Sequence, residues 1–170
     1  MNKAIVVIGG GAGGMMAAIC AARKGAHVTL LDPNERLGKK VNITGKGRCN
    51  VTNDSTCEEL LDHVPQNPRF LYSVFSRFDG HDAIDFFEGL GVPLKVERGK
   101  RVFPVSDRSF DITAALEREL KRLHVKLVRD RALGISVEDG HVAAVKGEKG
   151  DYTASAVILA TGGLSYPATG

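Results

Sequence analysis

Five consecutive apolar residues, Ala4 to Ile8, open the chain with the length and character of a strand buried on both faces. A small-residue run from Met15 to Ala22 follows and predicts a helix. Gly25 stops it, and His27 to Leu31 returns as a second β-rich segment ending on Asp32. Pro33 to Lys40 is a polar, basic loop, and Val41 to Asn53 is too polar and glycine-rich for a core element. Asp54 to Asp62 reads as a short helix, with Ser55 and Glu58 spaced as a capping box. Apolar residues at helical spacing then recur over Arg69 to Phe78 (Leu71, Val74, Phe75, Phe78) and over His81 to Gly89, where Ile84, Phe87 and Leu90 continue the pattern. Their aromatic rings are expected in the core.

Val92 to Val96 and Arg101 to Val105 predict a hairpin around Glu97 to Lys100. Asp111 to Leu123 is an amphipathic helix, with Ile112, Ala115, Leu116, Leu120 and Leu123 along one side. Lys126 to Arg129 is a short strand. Gly134 to Glu138, His141 to Lys146 and Asp151 to Ala154 predict a three-stranded meander, turned at Asp139-Gly140 and at Gly147 to Gly150. Ala156 to Ala160 is a last, fully apolar strand running into Thr161-Gly162-Gly163. The order of strands and crossovers predicts an α/β fold. Its parallel sheet joins Ala4–Ile8, His27–Leu31, Lys126–Arg129 and Ala156–Ala160, and the meander forms a separate antiparallel layer.

The chemistry concentrates between the first two strands. Gly9, Gly11 and Gly14 spell G-x-G-x-x-G, with Ala12 and Gly13 between them. The first glycine permits a tight turn, the second lets backbone approach a pyrophosphate, and the third lets the helix pack on the strand. The helix start then offers amides and a positive dipole end to the phosphates. Asp32, 18 residues past Gly14, is placed to accept hydrogen bonds from an adenosine ribose. A dinucleotide-binding βαβ unit is the reading; a purely structural glycine turn is its alternative. The Val41 to Asn53 stretch reads as a ligand-cradling loop or as a solvated one. Arg48 suits the negative charge of a phosphate or a reduced cofactor ring. Cys49 is either a thiol acidified by Arg48 or simply a small loop residue.

Of the 170 residues, 43% are hydrophobic and 25% charged, as in a globular protein with a real core, and net charge is only +3. This gives no basis for a nucleic-acid or membrane footprint. Three cysteines without a C-x-x-C pair argue against a disulfide scaffold or zinc site and for a reducing compartment, so the expected location is cytoplasmic. The five histidines lack ligand spacing, and no metal is expected. Asp82, Asp85, Glu117 and Glu119 read as solvated helix faces. With no catalytic triad and no redox cysteine pair, the hard chemistry falls to a cofactor, and no catalytic acid or base is nominated.

GGGAGGMMAA, RLGKKVNITGKGRCNVTN, RVFPVSDRSFDI and LATGGLSYPATG, in this order, resemble the BaiN-like, aminoacetone-oxidase-like family of FAD-binding flavoproteins. The GKGRCNVTN loop is the most specific part. The resemblance implies a Rossmann-like FAD-binding domain of glutathione-reductase type spanning residues 1–170, with a helical excursion over about 54–124 and a β-meander over about 134–154. Family members are roughly twice as long, so the chain is expected to be the first part of a longer protein, ahead of a second domain and a last strand. The resemblance places the FAD pyrophosphate on Gly9, Gly11, Ala12, Gly13 and Gly14 and its ribose on Asp32, with Pro33 also among the cofactor-binding residues. Lys40, Thr44, Gly45, Gly47, Arg48, Cys49 and Asn50 would run toward the phosphates and flavin. The backbone at Leu133 would face adenine, and Thr161, Gly162 and Gly163 would close the cofactor from the other side. The implied activity is two-electron transfer through the flavin to or from a small-molecule substrate, with NAD(P)H as electron donor. A non-catalytic adenine-dinucleotide-binding fragment and a nucleic-acid-modifying flavoprotein are the rival readings. For the latter, the basic residues Arg36, Lys39, Lys40, Lys46 and Arg48 are interleaved with glycines rather than aromatics, and pyrophosphate neutralisation accounts for them.

Overall fold

The computed structural model describes residues 3–165. The chain divides into two compact units, one built from Met1–Val41 and Leu116–Gly170, the other from Asn42–Ala115.

The first unit starts with β1 (Ala4–Ile8), helix α1 (Ala12–Arg23) and β2 (His27–Asp32). The small-residue run thus forms the expected helix, three residues longer at its start, and Gly25 leaves it with φ +82°. The second unit follows. It comprises two short 3₁₀ turns within Val41–Gly47, β3 (Thr52–Asn53), α2 (Cys57–Asp62), a 3₁₀ turn Pro68–Leu71, α3 (Tyr72–Phe75), α4 (Gly80–Gly89), β4 (Leu94–Glu97) and β5 (Arg101–Pro104). Helix α5 (Ser109–Arg122) straddles the division. The first unit then resumes with β6 (Lys126–Arg129), the meander β7 (Ala132–Glu138), β8 (His141–Gly147) and β9 (Asp151–Thr153), and β10 (Ala156–Leu159).

The main sheet runs β10-β1-β2-β6, every pairing parallel. Its central strands are buried on both faces, as an apolar run without alternation requires: Val6, Val7, Leu30 and Leu31 are almost fully enclosed. The meander, in order β7-β8-β9, packs over one face through Val145 and Ala154 against Val6 and Leu31. Its first turn uses the positive φ of Asp139 and Gly140, +50° and +76°, as a two-residue hairpin demands. Asp130 fastens the sheet end to the meander. Its carboxylate accepts hydrogen bonds from the Tyr152 hydroxyl at 2.6 Å and from the backbone N–H groups of Arg131 and Lys149. The Tyr152 bond foremost, with those amides, holds this carboxyl below its usual range against the opposing effect of burial.

In the second unit a small antiparallel sheet, ordered β3-β5-β4, carries the predicted hairpin. Several expectations are corrected here. The polar 41–53 stretch contributes a strand, because Thr52 and Asn53 pair with Val102 and Arg101, and it contributes Cys49 to the buried residues. The capping box of α2 is Thr56 with Glu59, one residue later than Ser55 with Glu58. The aromatics do not all enter a core: Phe87 is buried, whereas Phe70, Tyr72 and Phe78 are exposed, as is Val74. The helix that would have aligned them breaks into a 3₁₀ turn and a four-residue α3, so their spacing spans no single face. Glu119, expected on a solvated face of α5, is 4% exposed and carries a salt bridge to Arg23.

Candidate functional site

In the first unit the glycine turn is held from three directions. The Gly9 N–H donates to the Leu31 carbonyl at 2.8 Å, continuing the β1–β2 ladder past the strand end. Gly9 itself has φ +106°, and a Cβ there would lie 2.4 Å from the Ala160 carbonyl oxygen. A Cβ on Gly14 would lie 1.7 Å from the Gly9 carbonyl oxygen, so the helix start closes directly onto the turn. Both glycines are demanded by protein packing alone.

Gly11 and Gly13 differ. A Cβ on either would meet nothing within 4 Å. Between them, Ala12 begins α1 with exposed backbone, no side chain caps the helix, and its first turn holds no acidic residue. The first amides of a helix have no intrahelical acceptor. Here they stand at the positive end of the dipole, beside the room left by two missing side chains. An anionic diphosphate fits this cradle on charge, donors and space.

Asp32 closes β2, 9% exposed. One carboxylate oxygen accepts the Gly10 N–H at 2.6 Å and the other the Asn34 N–H at 2.7 Å. The Gly10 carbonyl in turn accepts the Gly38 N–H at 2.8 Å. Pro33, next to Asp32, is exposed. Lys40 reaches toward the segment after β10, its Nζ 3.4 Å from the Gly163 carbonyl oxygen. Thr161, Gly162 and Gly163 are exposed, and Gly162 has φ +84°. The structure therefore brings Gly9–Gly14, Asp32, Lys40 and the 161–163 segment together. Leu133 is 65% exposed at a register shift between Ala132 and Gly134 in β7, the strand that follows Asp130, whose N–H donates to the Asp32 carbonyl. Gly10, Leu37 and Gly38 were missed by reading the motif alone. Their signal was the unbroken triplet Gly9-Gly10-Gly11, since a Cβ on Gly10 would lie 2.3 Å from Leu37 Cδ2.

In the second unit the 44–50 loop turns on left-handed backbone, with φ +55° at Gly45, +57° at Lys46, +86° at Gly47 and +59° at Cys49. The Arg48 and Cys49 N–H groups close it onto the Gly45 and Thr44 carbonyls. Thr44, Gly45, Gly47 and Asn50 are exposed. Arg48 is not a lone cation. Its guanidinium bonds Glu97 and, at 2.8 Å, Asp107, and lies 4.1 Å from the centre of the Phe103 ring. Lys95 adds a 2.7 Å pair to Asp107. Two cations and two carboxylates balance. Arg48 foremost holds the Glu97 carboxyl below its usual range, and Lys95 followed by Arg48 does the same for Asp107. Cys49 is buried, and burial pushes its thiol up, the opposite of activation by Arg48.

Among the described residues no group of His, Cys, Asp and Glu could hold a metal ion, and no helix is long and apolar enough to cross a membrane.

Residues 3–170 match the model of the HI0933-like protein Rossmann domain. The 3-dehydro-bile acid delta(4,6)-reductase of Clostridium scindens is 39% identical, over 100% of this chain and 41% of its own length. The ribosomal RNA dihydrouridine synthase of Escherichia coli is 30% identical, over 97% of this chain and 40% of its own. The chain thus spans about two fifths of these relatives. Among solved structures, 3-ketosteroid-delta4-(5alpha)-dehydrogenase from Rhodococcus jostii RHA1 superposes with a TM-score of 0.71 at 17% identity, covering 97% of this chain and 47% of that one. The parallel sheet, its glycine turn and the match over nearly the whole sequence place this chain in the HI0933-like Rossmann domain family.

Proposed function

We propose that the first unit binds the adenosine diphosphate half of FAD, and that the protein is an FAD-dependent oxidoreductase acting on a small molecule. The observation that carries this reading is the pair Gly11 and Gly13, which leave open space at an uncapped helix start while Gly9 and Gly14 are filled by their neighbours. FAD, when bound, supplies two-electron hydride transfer at its flavin ring. The chain's own residues bind and orient. The amides from Gly11 to Gly14 receive the diphosphate, and Lys40 lies near enough to the 161–163 segment to add a positive charge there. Asp32 has lone pairs left beyond its two backbone bonds for a ribose hydroxyl, with Pro33 beside it. The backbone at Leu133 is assigned to adenine by resemblance.

The 44–50 loop of the second unit is assigned to the flavin end, also by resemblance. Within it, Arg48 serves chiefly to hold the loop on the β4–β5 hairpin, because its charge is already balanced by Glu97 and Asp107. NAD(P)H is proposed as the electron donor. The same charge balance weakens any case for carrying over the RNA substrate of the Escherichia coli relative. Isothermal titration with ADP and with FAD tests the site. Saturable, one-to-one binding of ADP is expected, competitive with FAD. Failure of both to bind would withdraw the reading.

A further inference from the structure

The hydrogen bonds of Asp32 say more than the position of an acid at a strand end. Both of its oxygens are engaged by main-chain N–H groups, and the shorter bond, 2.6 Å, goes to Gly10 in the middle of the phosphate turn. Gly10 is gripped a second time, by the Gly38 N–H on its carbonyl. It is also buried, and a Cβ there would lie 2.3 Å from Leu37 Cδ2 and 3.0 Å from the Asp32 carboxylate itself. Residues 32–38 therefore form a clasp around one residue of the turn, on the peptide at each side of it. That residue immediately precedes Gly11, the start of the open cradle, so its orientation sets where the amides of Gly11 to Gly13 point. A charged acceptor on a backbone N–H makes a strong, directional bond, about twice a neutral one.

Building on the ADP site proposed above, we propose that Asp32 is a positioning residue for the diphosphate. Through Gly10 it holds the phosphate turn in its binding geometry, and it does so whether or not the ligand carries ribose hydroxyls. An acid that served only the ribose would have no reason to spend its shortest hydrogen bond on the phosphate turn.

The test separates ribose from phosphate. Wild type and Asp32→Asn are titrated with ADP and with 2′,3′-dideoxy-ADP, which has the diphosphate but no ribose hydroxyls. Asparagine keeps one acceptor oxygen of the two, so this variant preserves more of the clasp than alanine. The expected result is a loss of about fivefold or more for dideoxy-ADP, the size of one hydrogen bond of about 1 kcal/mol, with at least as large a loss for ADP. In ¹⁵N-labelled protein without ligand, the Gly10 amide resonance should shift on substitution, with changes confined to residues 9–14 and 32–38. Dideoxy-ADP affinity indifferent to the substitution would reduce Asp32 to a ribose acceptor and overturn the proposal. So would amide changes spread throughout the molecule, which would mark a general loss of structure. The wild-type spectrum is an independent check, since a Gly10 amide that exchanges with solvent as fast as an exposed loop amide also overturns it. Absence of ADP binding by wild type would instead overturn the site assignment itself.

Discussion

The glycine turn of the first unit and the glycine loop of the second are alike in composition and differ in what their glycines meet. At Gly9 and Gly14 an added Cβ would collide with backbone from Ala160, just past β10, or from the turn itself. At Gly47 it would meet nothing, and the demand is conformational, a φ of +86°. The charged groups divide the same way. Glu119 in the first unit is 4% exposed between Arg23 and Arg122, while Arg48, Glu97 and Asp107 in the second are 34%, 31% and 46% exposed. The first unit enforces its motif by packing. The second holds its loop with a surface network and local backbone preference.

The comparison is sharpest at Gly14. Gly14→Ala puts a methyl where the Gly9 carbonyl oxygen stands, and neither partner is the free end of a side chain. The cost should reach about 3 kcal/mol or more, the upper part of the range for overpacking, read as a fall in the urea midpoint. Gly47→Ala pays only the left-handed penalty of about 1–2 kcal/mol. Equal losses at the two positions would break the distinction drawn above.

Glu119 gives the second test. Arg122 foremost, together with Arg23, holds its carboxyl at about 2 despite burial. A carboxyl that ionises more readily folded than unfolded adds stability above its ordinary range, and that stability is lost as pH falls through the folded value. Glu119→Gln should therefore cost about 1.5–3 kcal/mol near neutrality, the range for hydrogen bonds to charged groups. The difference from wild type should shrink between pH 4.5 and about 2. A pH-independent difference in thermal midpoint would mean that packing, not charge, holds α1 to α5.

Gly13 separates the two uses of glycine within one turn. Its position is helical and unobstructed, so Gly13→Ala should stabilise the free protein by about 0.5–1 kcal/mol. The same methyl enters the cradle and should weaken ADP about tenfold, equivalent to about 1.4 kcal/mol. Opposite signs in the melting and titration experiments are the signature. A stabilised protein with unchanged ADP affinity would return Gly13 to a structural role.

What was legible in the sequence follows the same division. The central strands of the main sheet were legible almost to the residue, because a strand buried on both faces must be apolar without interruption. The meander turns were legible because Asp139-Gly140 supplies the backbone that a tight hairpin needs. The second unit was harder. Ser55-x-x-Glu58 and Thr56-x-x-Glu59 satisfy the same capping pattern, and only the fold chooses between them: Ser55 is turned inward while Thr56 caps. Helical spacing over residues 69–78 misled because the backbone breaks at Leu71. The partners of Arg48 lie 49 and 59 residues along the chain. Nothing local to GKGRCN announces them, although Lys95 and Glu97, two apart on β4, hinted at a charged face. The glycines of the cradle were legible as a motif. So were the packed place of Gly14 and the open place of Gly11, whereas the crowding of Gly10 was not, since that depends on where Leu37 comes to rest.

The smallest effect belongs to Arg48, and it tests the other half of the comparison. Removing the guanidinium leaves Glu97 facing Lys95 alone, while Asp107 keeps its 2.7 Å pair with the Lys95 ammonium. The pairs are exposed and therefore screened by salt, so Arg48→Ala should lower the thermal midpoint only slightly. The sign of the pH dependence is fixed by the carboxyls. Both are held below their ordinary range in the folded protein, with Arg48 the leading cause for Glu97 and the second for Asp107. The wild-type advantage should thus be complete above the ordinary carboxylate range and fade as pH falls through the lowered folded values. It should also shrink in high salt. The more telling readout is local. Phe103 loses the cation over its ring, and the left-handed turn at Gly45–Gly47 loses its anchor to β4, so amide exchange over residues 44–50 should quicken while the first unit is unchanged. If exchange in the loop stays slow, the backbone turn and the buried Cys49 hold it without the charge network. Arg48 would then be free to act on a bound ligand, as its place in the motif first suggested.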